Sequence, residues 1–268
     1  MEKYDVQFKK KFGQNFLKDS TIVKRIVDVS GVTDQSLVVE VGPGGAILTR
    51  ELASRSGNVL AYEIDEDLKD ELNKRLSSFY NVKVLFQDFL ESDLESDIQN
   101  YSYDKLFFIS NVPYYITTPI LMKIIFSKLH FHKIVMMVHK EVGDRFSTSP
   151  GNREYGSITV LLNYYYDVKK EFVVSRKQFI PEPNVDSVIV SFTEKENRPS
   201  LKDPVFFEKV IRDSFQFKRK NIKNNLKNYN LEIVESVLKS YGFNLTSRAE
   251  MLDVKVFVDL ANALYKNK

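Results

Sequence analysis

The chain has 268 residues, 43% of them hydrophobic and 28% charged, enough apolar content for a sizeable core and too much for wholesale disorder. It contains no cysteine and three histidines (His130, His132, His139), which excludes a disulfide framework, a thiolate metal site and a cysteine nucleophile and gives no basis for expecting a metal. Net charge is +3, and no uncharged apolar run approaches the ~18 residues that span a bilayer; the richest stretch, 120–126, is broken by Lys123.

The charge is unevenly spread. Positions 60–105 carry twelve acidic and five basic residues, whereas 214–230 carry five basic residues (Lys218, Arg219, Lys220, Lys223, Lys227) and no acidic one. The first thirty positions add seven basic against four acidic residues, without the apolar stretch of a secretory leader, so a soluble cytoplasmic protein is expected. Segregated cations suit a polyanion, although solvated helix faces read the same way from charge alone.

In chain order, the predicted elements are a strand at 37–41, a helix at 48–54, a strand at 59–64 and a helix at 66–77. Strands at 82–86, 105–110 and 133–138 follow, with a helical stretch at 119–129 before the last of them. These strands are nearly continuous apolar runs, as strands covered on both faces should be. Their alternation with helices predicts βαβ units in an α/β fold with a doubly wound, mostly parallel sheet. Two later strands, 168–174 and 187–193, lack a helical stretch between them and are expected as an antiparallel hairpin at the sheet edge.

Positions 194–203 are polar, include Pro199 and read as a linker, which divides the chain into domains 1–197 and 198–268. Beyond the linker, Asp203-Pro204 is an N-cap with proline at the first helical position, and Asn230 can cap a helix stopped by Gly242. A last helix is expected at 254–265, with Val254, Phe257, Val258, Ala261 and Leu264 on one stripe. The second domain is thus small and all-helical, with the five cations of 214–230 on a helical pattern.

The first strand runs into Glu40-Val41-Gly42-Pro43-Gly44-Gly45 and then a helix. Glycines at such a turn let backbone approach a ligand closely. Glu63 ends the second strand, 21 positions beyond Gly42, where a carboxylate can accept both hydrogen bonds from a ribose diol. Ile47 stands where a dinucleotide fingerprint needs its third glycine, so NAD is disfavoured. The acid-x-Gly-x-Gly form resembles instead the turn of methyltransferases that bind S-adenosylmethionine (AdoMet); a glycine turn with no ligand is the plainer reading. Asp88, after the third strand, suits a turn or an adenine amine.

After the fourth strand comes Asn111-Val112-Pro113-Tyr114. The Asn111 side-chain oxygen and the Val112 carbonyl can both accept from one exocyclic amine, which turns its lone pair toward a methyl donor. Pro113 biases Val112 toward an extended conformation, and Tyr114 offers a face for stacking a flat base. A proline turn packed with aromatics is the plainer alternative for this tetrapeptide alone.

These motifs, with KKKFGQNFL (9–17), NVPYYITTP (111–119), KEVGDR (140–145), YGS (155–157), FIPEPNVDS (179–187), FKRKNIKNNL (217–226) and SRAEML (247–252), closely resemble the bacterial small-subunit ribosomal RNA adenine dimethyltransferases, the KsgA family. The resemblance spans almost the whole chain. It implies a Rossmann-like class I AdoMet-dependent methyltransferase sheet with a helical C-terminal domain for RNA recognition. The implied reaction is dimethylation of two adjacent adenines in the 3′-terminal hairpin of small-subunit (16S) RNA, with AdoMet as donor and no metal. The implied partners are that RNA and the immature small subunit, met by a monomer. Carried over by position, Asn15 and Leu17 join Gly42, Gly44, Glu63, Asp88 and Asn111 around AdoMet. Phe179 would pack the flipped base opposite Tyr114, although the residues alone favour a core position for it. Lys218, Arg219, Lys220, Lys223 and Lys227 would hold phosphates. Three positions depart from the family pattern: Ala46 for a third glycine, Tyr115 for asparagine, and His139 for glutamine. The alternatives are a large-subunit RNA methyltransferase of the macrolide-resistance type, a non-catalytic RNA-binding assembly factor, and a DNA adenine methyltransferase.

Overall fold

Ser36–Val41 is buried at every position, as a strand covered on both faces requires, and sits inside a seven-stranded sheet. The structure, a computed structural model, describes residues 16–112 and 114–265. Its elements begin with β1 (Phe16–Leu17), α1 (Ser20–Ser30), β2 (Ser36–Val41), α2 (Ile47–Ala53), β3 (Asn58–Glu63) and α3 (Lys69–Leu76). They continue with β4 (Val82–Phe86), α4 (Leu94–Ile98), β5 (Lys105–Ser110), α5 (Thr117–Phe126), β6 (Phe131–His139) and α6 (Lys140–Phe146). After α7 (Ser157–Tyr165) come β7 (Tyr166–Val174), β8 (Phe179–Ile180) and β9 (Ser187–Glu194). The last helices are α8 (Pro204–Ser214), the single-turn α9 (Ile222–Asn225), α10 (Leu231–Ser240) and α11 (Val254–Tyr265).

The sheet order is β4-β3-β2-β5-β6-β9-β7. The five strands from β4 to β6 are parallel, and β9 runs antiparallel to β6. The two late strands are neighbours at the sheet edge as expected, with β9 inside β7. One two-stranded pair has no counterpart in the sequence reading. Leu17 of β1 lies opposite Phe179 of β8, in antiparallel register.

The described residues form two compact units, one of 16–143 with 169–194 and the other of 144–168 with 195–265. The sequence boundary at 197/198 therefore differs from the structural one, because 144–168 belongs with the C-terminal segment. Its helix α7 packs on α8 and α11, and the Tyr164 and Phe207 rings lie 4.9 Å apart. The caps read from sequence are present. Asp203 accepts from the amides of Val205 and Phe206, and Asn230 from those of Glu232 and Ile233.

A second difference concerns the five cations, which do not share a helix. α8 ends at Ser214, and within 215–230 only the single-turn α9 forms. The buried Asn225 amide donates to the Ser214 carbonyl (2.7 Å), and its oxygen accepts from the Phe217 amide (3.1 Å). These side-chain bonds replace helical ones and fold 215–220 into a turn.

In the first unit, Gly143 lies so close to β9 that a Cβ on it would strike Val188 Cγ1. Gly143→Ala should therefore overpack this contact and lower stability by about 1–3 kcal/mol in chemical unfolding.

Candidate active site

Parallel strands β2, β3, β4 and β5 all end at one edge of the sheet. β2 lies between β3 and β5, where the winding reverses, and open α/β sheets leave a crevice at that point. A cavity of about 180 Å³ opens there, walled by Glu40, Gly42, Glu63, Asp88, Asn111 and their neighbours.

The glycine turn shapes one wall. Gly42 (φ +74°) and Gly44 (φ +50°) take left-handed conformations, and the Gly42 amide donates to the Tyr62 carbonyl (2.8 Å). Ala46 also sits at φ +58°, a conformation costing an L-residue roughly 1 kcal/mol or more. Its fully buried methyl packs with Leu68, Leu72 and Leu76, which offsets that strain.

Glu63 is buried at the end of β3. One carboxylate oxygen accepts from the Gly44 amide (3.2 Å) and the other from the Asp65 amide (2.9 Å). Burial pushes its carboxyl above the ordinary carboxylate range, against these two lowering bonds. Glu40, on β2, is 2% exposed and lines the same cavity, with its Oε2 lacking a hydrogen-bond partner among the described residues. Burial pushes Glu40 up to about 8; Thr49 opposes the rise and the Glu63 charge adds to it. The sequence reading included Glu40 in the motif without giving it a role.

Asp88 accepts from the Leu90 amide (2.8 Å), the turn role expected of it, while also lining the cavity. α5 fixes this loop. Lys123 Nζ donates to the carbonyls of Leu90 (3.0 Å) and Ser92 and lies 5.2 Å from the centre of the Phe89 ring. Ser110 supports the other side, its hydroxyl donating to the Val41 carbonyl and accepting from the Val41 amide. That link ties the glycine turn to the Asn111 loop. Neither Lys123 nor Ser110 carried a sequence signal, because each acts through a partner remote in sequence.

Asn111 is half-buried in the cavity wall, and Val112 is buried beside it. Tyr114 begins a single helical turn to Ile116, and Tyr115 reaches the cavity rim, 63% exposed. Leu17 also lines the cavity. Asn15, Pro113 and the Tyr114 side chain lie outside the described residues. Phe179 is 1% exposed in the core cluster with Leu17, Val174 and Ile189, and lies opposite Leu17 in the β1–β8 pair. His139 closes β6 opposite Ser187. Lys218, Arg219, Lys220, Lys223 and Lys227 are all exposed in the second unit.

The family described as ribosomal RNA adenine dimethylase matches residues 5–266. The chain belongs to that family. A protein of Geobacillus kaustophilus named ribosomal RNA small subunit methyltransferase A is 39% identical over 274 residues, 98% of this chain and 93% of its own. The protein of the same name from Bacillus pumilus is 39% identical over 275 residues, covering 99% and 94%. Among solved structures, the 23S rRNA methyltransferase ErmE superposes with a TM-score of 0.71 at 25% identity, covering 93% of this chain and 99% of that one. A dimethyladenosine transferase from Plasmodium falciparum gives 0.76 at 24%, covering 91% and 95%, a likeness of fold. As a ribosomal RNA adenine dimethylase, the chain is a methyltransferase, and its fold is the mostly parallel sheet that the sequence indicates. None of its described helices is long and apolar enough to cross a membrane.

The buried Glu40 of this family member gives a pH signature. A carboxyl raised on folding contributes stability that is complete below its ordinary value of 4.5 and is lost as pH rises toward about 8. Glu40→Gln should remove that loss. Between pH 5 and pH 8 the ligand-free variant should gain on the order of 3 kcal/mol relative to wild type in chemical unfolding.

Proposed function

We propose that this enzyme transfers methyl groups from AdoMet to the exocyclic amines of two adjacent adenines in the 3′-terminal hairpin of small-subunit (16S) ribosomal RNA. It acts as a monomer in the cytoplasm, during assembly of the small subunit. The observation that carries this reading is the shared cavity of Glu63, Asp88 and Asn111, at successive strand ends. The 39% identity to proteins named for the small subunit, against 25% to a 23S enzyme, favours the small-subunit substrate.

The residues fit AdoMet chemically. Each Glu63 oxygen accepts one backbone amide and keeps a lone pair for a ribose hydroxyl. The Asp88 carboxylate has acceptor capacity beyond its bond to Leu90 for an adenine amine. Glu40 brings an unpartnered buried oxygen, suited to a ligand cation. The uncharged backbone turn of Gly42 to Gly45 and the apolar neighbours Leu17 and Ile64 complete the wall without filling it. When bound, AdoMet supplies an electrophilic methyl on a sulfonium. The Asn111 oxygen and Val112 carbonyl then orient the target amine, and Tyr114 stacks on the base, which must leave its helical stack to enter. The first unit is the catalytic part. In the second unit, the exposed cations hold RNA phosphates and position the substrate.

The direct test is transfer of labelled methyl to immature small subunits, naked small-subunit RNA and large-subunit RNA, with the modified nucleosides mapped. Dimethyladenosine at two adjacent small-subunit positions is expected; modification confined to large-subunit RNA, or none, would overturn the reading. Glu63→Ala should weaken AdoMet binding by about 1.5–3 kcal/mol, roughly 10- to 150-fold by calorimetry, without unfolding the chain. Asn111→Ala should lower kcat far more than it weakens RNA binding, because its bond orients the reacting amine.

A further inference from the structure

The second unit presents an aromatic ring that the proposed phosphate contacts do not use. Phe217 is 54% exposed and is followed directly by Lys218, Arg219 and Lys220, all exposed. A single surface aromatic is ordinary in itself. This one stands on a fastened backbone. Buried Asn225 accepts from the Phe217 amide, and the Lys220 amide donates to the Phe217 carbonyl (2.9 Å). Downstream, the amides of Ile222 and Lys223 donate to the carbonyls of Ser247 (2.8 Å) and Leu245 (3.0 Å). The ring is therefore carried by a turn that pays little ordering entropy on binding.

We infer that Phe217 is a stacking platform for an unpaired RNA base, with Lys218, Arg219 and Lys220 holding the phosphates on either side of that nucleotide. The inference rests on the proposed RNA-binding role of the second unit and adds a single-strand preference to it. Charge selects the occupant. Positions 214–230 hold five cations and no acid, which suits a polyanion and makes a poor rim for an apolar protein patch. A duplex hides its base faces, whereas an unpaired nucleotide offers a flat surface beside its phosphate, and stacking tolerates any base.

The chain contains no tryptophan, so Phe217→Trp places a lone reporter at this position. Titrating that full-length variant with single-stranded oligoadenylate should quench its emission, and a blunt RNA duplex of the same length should not. Phe217→Ala should weaken oligoadenylate binding about 5- to 150-fold with an unchanged salt slope, because stacking releases no counterions. Reversing Arg219 and Lys220 to glutamate should instead shrink the slope of log K against log salt by about 1–2 units. Unquenched emission together with wild-type affinity in Phe217→Ala overturns the stacking platform, even if the slope change survives and leaves the phosphate reading in place. If the charge reversal also changes nothing, the RNA-binding reading of this segment falls with it.

Discussion

Glu40 and Glu63 bring two carboxyl groups into the interior where β2 and β3 end, and much of the neighbouring structure answers to that burial. A carboxylate out of water is costly unless it is hydrogen-bonded or paired. Glu63 is partly satisfied by two backbone amides, one of them from Gly44 in a left-handed turn that favours glycine. Glu40 is not satisfied at Oε2, and its raised pKa records the cost. The two buried carboxyl groups therefore favour a ligand that brings positive charge and hydroxyl donors.

The other walls are held by bonds that join distant parts of the chain. Ser110 fastens the Asn111 loop to the end of β2, and Lys123 fastens the Asp88 loop to α5. The pairing of β1 with β8 brings Leu17 to the wall and buries Phe179 behind it. Loops that carry chemistry are here positioned by rigid elements, so modest packing changes far from the cavity reach its geometry.

The sequence showed the central strands because burial on both faces leaves nearly continuous apolar runs, as at 134–138. It showed Glu63, Asp88 and Asn111 because each follows a strand whose end the winding brings to one crevice. It did not show the β1–β8 pair, since two-residue strands have no periodicity and their partners lie more than 160 positions apart. The placement of 144–168 was hidden for a related reason: the Tyr164–Phe207 contact that assigns α7 is not local. The basic segment misled because its helical spacing is real, but Asn225 spends its side chain on Ser214 and Phe217 and holds a turn instead.

The claim that two buried carboxyls await a cationic ligand is tested most directly by counting protons released when AdoMet binds. Calorimetry near pH 7, in buffers of different ionisation enthalpy, gives that number from the dependence of the observed heat on the buffer. A Glu40 carboxyl near 8 is mostly protonated before binding and ionises beside a cation, so wild type should release up to about one proton per ligand. Glu40→Gln should release correspondingly less. Heats independent of buffer in both proteins would contradict the account.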